Sequence, residues 1–94
     1  MKIKNFTVSN AFDTFNNGEK QNHFLSVNFE LDDPITLDEF KTVQLDASYR
    51  VTVSVIHDAL ARGSISVEQA NERITVLTKR TEQLKASIEK KSQL

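Results

Sequence analysis

Residues 44–60 read QLDASYRVTVSVIHDAL, and their reading decides the fold. From Leu45 to Val55 every odd position is apolar or small (Leu45, Ala47, Tyr49, Val51, Val53, Val55), while the even positions beside them are polar. Strict alternation with β-branched residues is the pattern of a half-buried strand. The flanks argue otherwise. Upstream, ITLDEF sets Thr36 where an N-cap belongs, with Glu39 three residues on to complete a capping box. Ile35 and Phe40 occupy the hydrophobic-staple positions, and Asp38 and Glu39 suit the positive end of a helix dipole. No Gly or Pro interrupts the chain between Ile35 and Arg62, and the first stop signal is Arg62-Gly63.

Wound at about 100° per residue, Ile56, Tyr49, Leu60 and Val53 follow Leu45 around one side. Ala59, Val55, Leu37 and Val51 extend the arc the other way, to a total of about 200°. Asp46, Arg50, Ser54 and His57 gather opposite. Ser48, Thr52 and Gln44 interrupt the apolar arc, which is wide enough for a helix packed on two sides. The spacing therefore favours one helix over 36–62, with a strand at 44–56 as the alternative. Valine and threonine lower helix propensity by a few tenths of a kcal/mol each, a deficit that tertiary packing can offset.

Outward from this stretch, residues 2–31 predict a β-hairpin. KIKNFTVSNAFDTF alternates around Phe6, Val8 and Phe12, and HFLSVNFEL places Leu25, Val27, Phe29 and Leu31 on one face. Between them Asn17-Gly18 is the usual chemistry of a two-residue hairpin turn. Asp32-Asp33-Pro34 is expected to end the second strand, because Pro cannot donate to a ladder.

Downstream of Gly63, Ser66 supplies a second N-cap and a second helix is expected over 66–91, with residues 92–94 as a frayed tail and fraying from about Lys85. Val67, Ala70, Ile74, Leu77, Thr81, Leu84 and Ile88 recur at spacings of three and four, a narrow seam of coiled-coil type. In a parallel homodimeric zipper Arg80 would face Lys85 of the other copy, so an antiparallel partner is favoured, and the first helix supplies one. Two helices of nearly equal length around a short Gly63 turn make an antiparallel helical hairpin. The expected fold is α+β: an N-terminal β-hairpin followed by a long antiparallel helical hairpin, in a single domain spanning 1–94. The alternative is a three-stranded sheet covered by one C-terminal helix.

Composition narrows the function. The 94-residue chain has a thin core. With no cysteine it has neither disulfide nor thiolate metal site. The formal net charge of −1 creates no field to attract nucleic acid or anionic membrane. No apolar run reaches the roughly 20 residues that cross a bilayer, and MKIKNFTVSN lacks the apolar core of a signal peptide. These features point to a cytoplasmic protein. Abundant Asn, and Lys twice as common as Arg, suggest an AT-rich genome, that of a low-GC bacterium or its phage; a phage-encoded protein would sit in the host cytoplasm or on the virion.

No motif for catalysis, metal or cofactor stands out. His57 and Asp58 are adjacent on a helix and point about 100° apart. Asp32-Asp33 lacks a third carboxylate at loop spacing, and His23 has no Cys or His near it in sequence. The two glycines form no phosphate loop. The sequence thus predicts a non-enzymatic protein–protein interaction or structural module without cofactor, a phage-type accessory or inhibitor protein that self-associates. Its contacts, between helices or between copies, are expected at Tyr49, Val53, Ile56, Leu60, Val67, Ile74, Leu77, Leu84 and Ile88. The alternative is a nucleic-acid-binding accessory protein using hairpin aromatics and lysines, with Phe15 and Phe24 as the aromatics off the buried register. Asp13, Glu19 and Glu30 interrupt that basic patch, so a protein partner is favoured over nucleic acid.

Overall fold

A computed structural model of the chain describes residues 1–92. Strand β1 (Lys2–Asn16) turns at Asn17-Gly18 into β2 (Glu19–Thr36); helix α1 (Leu37–Ala61) and helix α2 (Val67–Ser92) follow. The fold is the predicted one, and residues 44–60 lie wholly within α1. The fraying expected from about Lys85 does not occur among the described residues: Lys85 pairs with Asp46, α2 runs unbroken to Ser92, and residues 93–94 of the expected tail lie outside the described residues.

Local chemistry accounts for each junction. Asn17 and Gly18 both take positive φ, 54° and 81°, as a two-residue turn matched to strand twist requires. The strands pair antiparallel from Asn16↔Glu19 to Asn5↔Glu30. There the register breaks: Lys4 alone spans what Leu31, Asp32, Asp33 and Pro34 span on β2, and pairing resumes at Ile3↔Ile35. The expected end of β2 at Asp32-Asp33-Pro34 is thus a bulge, and the strand carries on to Thr36. Pro34, which has no N–H, is tolerated because it falls where the ladder is already interrupted.

At the start of α1 the Glu39 N–H donates to Thr36 Oγ1 and the Thr36 N–H to Glu39 Oε1, both at 3.2 Å, which is the expected capping box. At its end Ser64 N–H donates to the Ala59 carbonyl at 2.9 Å and Gly63 N–H to Leu60 at 3.0 Å. That is a Schellman closure, with Gly63 at φ 75° in the position where a side chain would be strained. Ser66 and Gln69 then form a second capping box, at 2.9 and 3.1 Å, to open α2.

Helix α1 is the centre of the molecule. It packs on both strands, and α2 packs on α1. Ala47, Val51, Val55 and Ala59, spaced by four, are buried, as is Ile56. The tightest cluster lies near the hairpin tip: Ile56, Ala59, Ile65 and Ala70, with Phe12, Leu60 and Ile74 against them. At the other end Phe6 stacks on Phe29 at 5.3 Å and meets the edge of Phe40 at 5.0 Å. Phe40, a staple residue by sequence, thereby ties the first turn of α1 to the hairpin.

Candidate interaction surface

The contacts between α1 and α2 are mixed in character. Ile56 is buried, and Leu60 and Ile74 pack against its cluster. Farther along, the Tyr49 hydroxyl lies 2.9 Å from Thr78 Oγ1, and Thr78 itself donates to the Ile74 carbonyl at 2.8 Å. Lys85 reaches Asp46 across the same seam. Val53, Leu77 and Ile88 are half-buried. Val67 and Leu84, the other expected contacts, are 63% and 44% exposed. Val67 lies with Asn71, Thr75 and Val76 on the side of α2 turned away from α1, although Ile65 and Ala70 on either side of it join the cluster. Val76, which the three-and-four spacing passes over, is 67% exposed on the outer side of α2.

Between β1 and α2 a cleft of about 490 Å³ opens over α1. Phe12, Ile56, Val76 and Leu77 form its apolar lining, with Asn10 and Thr52 beside them. Asn10 Nδ2 donates to Thr52 Oγ1, which in turn donates to the Ser48 carbonyl at 2.8 Å. The Thr52 hydroxyl, inside the apolar arc of α1, is thereby satisfied where the helix meets β1. The Arg73 guanidinium stands 5.0 Å over the Phe12 ring, bridging α2 to the hairpin.

His23 is the residue whose surroundings sequence could not foresee. It is 2% exposed, with Nε2 2.9 Å from Thr14 Oγ1, its ring 5.2 Å from Phe12, and Nδ1 3.9 Å from the Asp58 carboxylate. Asp58 also receives Arg62 Nε at 3.0 Å. The hint available in sequence was register: His23 shares the face of Leu25, Val27 and Phe29. Thr14 and His23 are joined across the hairpin, and Asp58 of α1 stands near His23 Nδ1, which makes no hydrogen bond among the described residues. His57, on the polar face, is exposed.

The outer face of the hairpin carries no helix. Ser9 donates to Ser26 at 2.8 Å across the strands, and Asn22 donates to Asp13 at 2.8 Å. That Asn22 bond, with Lys20 at 3.3 Å from the same carboxylate, holds the Asp13 carboxyl below the usual carboxylate range. Phe15 and Phe24 stand 72% and 63% exposed on this face, while Phe6, Phe12 and Phe29 turn inward. Among the described residues no three His, Asp or Glu side chains converge on a point where a metal could sit, and no helix is long and apolar enough to cross a membrane.

No known family model matches the chain, and no curated protein or solved structure is detectably similar to it.

Proposed function

We propose that the chain is a non-enzymatic protein–protein interaction or structural module that associates with further copies of itself. The observation that carries this reading is the shallowness of the core. Among the described residues the buried apolar side chains are small or aliphatic, Ile56 and Ile65 being the largest, and the inward-facing Phe6, Val8, Leu25, Val27, Phe29 and Leu31 all stay half-buried under a single helix. Apolar surface left this way on a small domain is characteristic of an interface. Sedimentation velocity over a hundredfold range of protein concentration tests the reading. A sedimentation coefficient that rises with concentration is expected; a constant monomer value overturns it.

One observation favours a second reading, a nucleic-acid-binding accessory protein. Phe15 and Phe24 project from a flat, otherwise polar ribbon, with Lys20 opposite Phe15 in the ladder. Aromatics so placed can stack on unpaired bases. Lys20 is engaged by Asp13, however, which weakens the basic half of the site. Binding of single-stranded oligonucleotide that falls steeply with salt and is lost in Phe15→Ala/Phe24→Ala supports this reading, and no binding at low salt removes it.

A further inference from the structure

We infer that two copies associate by pairing β2 with β2 in antiparallel register centred on Leu25, which extends the hairpin into a four-stranded sheet. This rests on the proposed self-association and specifies its surface.

The phase of the hairpin determines which backbone groups are free. A two-residue turn makes Asn16↔Glu19 a hydrogen-bonded pair, and such pairs recur at every second residue. On β2 the residues whose N–H and C=O point away from β1 are therefore Lys20, Asn22, Phe24, Ser26, Asn28 and Glu30. Among the described residues no helix or strand pairs with this edge, and α2 makes no close approach to β2. Helix α2 stands on the β1 side, where Arg73 lies over Phe12 and the cleft opens. On the β2 side lies a hollow of about 220 Å³ lined in part by Phe29, Leu31, Val43 and Ala47, and the turn between the helices reaches β2 through the inward-facing Gln21, to which Ser64 donates.

The sequence of this edge invites pairing. From Asn22 to Phe29 it holds no Pro, Asp, Glu, Lys or Arg, the residues that commonly block edge association. Charges bracket it at Glu30 and at Lys20, whose exposed ammonium also holds Asp13 of its own hairpin at 3.3 Å. A two-fold axis through the Leu25 pair sets Lys20 of one copy opposite Glu30 of the other, twice, with Asn22 opposite Asn28 and Phe24 opposite Ser26. All six are free-edge residues exposed on the outer face, so backbone and charge demand the same register. The β1 edge has no such solution. Its bracketing charges, Lys4 and Asp13, are nine residues apart and differ in parity, so no antiparallel self-pairing sets one opposite the other.

The helices fit this arrangement. Residues opposed across an antiparallel pair point to the same side, so both copies of α1 lie on one face of the extended sheet. Strands about 4.8 Å apart put the two hairpin midlines about 10 Å apart, the spacing at which two helices pack side by side.

The test uses the whole chain. Ser26→Pro removes an outward N–H that the hairpin itself does not use, and Glu30→Lys sets Lys20 of one copy against the introduced lysine of the other across the axis. Ser26→Pro is expected to raise the dimer dissociation constant by about tenfold or more with the helical circular dichroism unchanged. Glu30→Lys is expected to weaken the dimer several-fold, and Lys20→Glu/Glu30→Lys to restore it by reversing both charges. Because Glu30 is exposed, the charge pair keeps the test decisive if Ser26→Pro perturbs the fold. A dimer insensitive to the charge variants overturns the β2 pairing and leaves self-association standing; a wild-type chain that stays monomeric overturns both.

Discussion

Thr36 and Glu39 show how much two side chains can decide. Their reciprocal bonds satisfy two N–H groups that would otherwise be orphaned where β2 passes into α1. Thr36→Ala is expected to cost about 1 kcal/mol in urea unfolding. The bond from the Thr36 N–H, followed by that from its hydroxyl, holds the Glu39 carboxyl below the usual carboxylate range. A depressed folded value means a contribution present above the unfolded value and lost as pH falls through the folded one. Stability should therefore decline in acid, and the decline between about pH 5 and pH 3 should be shallower in Glu39→Gln. An unchanged slope would remove Glu39 from the acid response. This residue-scale pattern was legible because capping acts within four residues. His23 was not, because Thr14 and Asp58 reach it only through strand pairing and helix docking.

At the scale of elements, every boundary has its own local device: the positive-φ pair at Asn17-Gly18, two capping boxes, and the Schellman closure at Gly63. Gly63 has nothing within 4 Å of where a Cβ would stand, so its only requirement is backbone conformation. Gly63→Ala should lower stability by about 1–2 kcal/mol without disturbing packing, as read by chemical denaturation and an unchanged near-ultraviolet spectrum. The stretch 44–60 is the instructive element. Its period-two alternation comes from a helix packed on two sides: Ala47, Val51, Val55 and Ala59 are buried at spacings of four, while Tyr49 and Ile56 meet α2 or its cluster. Breakers and caps outweighed the alternation because a strand there needs turns that the sequence lacks. The bulge at Lys4 was missed for the complementary reason: Pro34 signals a break in the ladder but not whether pairing resumes beyond it.

At the scale of the molecule, burial is concentrated near the hairpin tip and thins toward the open end of the helices. Ile56→Ala, in the tip cluster, is expected to cost about 2–4 kcal/mol, a large share of the stability of a domain this size. Leu84→Ala, 44% exposed on the same helical seam, should cost less than about 1 kcal/mol in the monomer. Equal losses at the two positions would contradict the graded core. The nine expected contact residues divide unevenly: Ile56, Leu60 and Ile74 belong to the tip cluster, Tyr49 reaches Thr78, Val53, Leu77 and Ile88 are half-buried, Leu84 is exposed toward the open end, and Val67 is exposed at the tip end because it faces outward. Periodicity assigns a residue to a helix face, but whether that face is covered depends on how the two helices are turned toward one another: Leu84 is exposed although its neighbour Lys85 reaches Asp46 of α1.

Sequence by itself determined the hairpin turn, both helix starts and the Gly63 stop, because each rests on contacts between near neighbours in the chain, and it favoured the order β-β-α-α over a third strand at 44–56. Only the tertiary structure decided that α1 lies between the hairpin and α2, that α2 flanks β1 and leaves the β2 edge bare, and that His23 is enclosed while Phe15 and Phe24 are not. Those outcomes depend on how elements remote in sequence share a small supply of apolar surface, and no local pattern encodes that division.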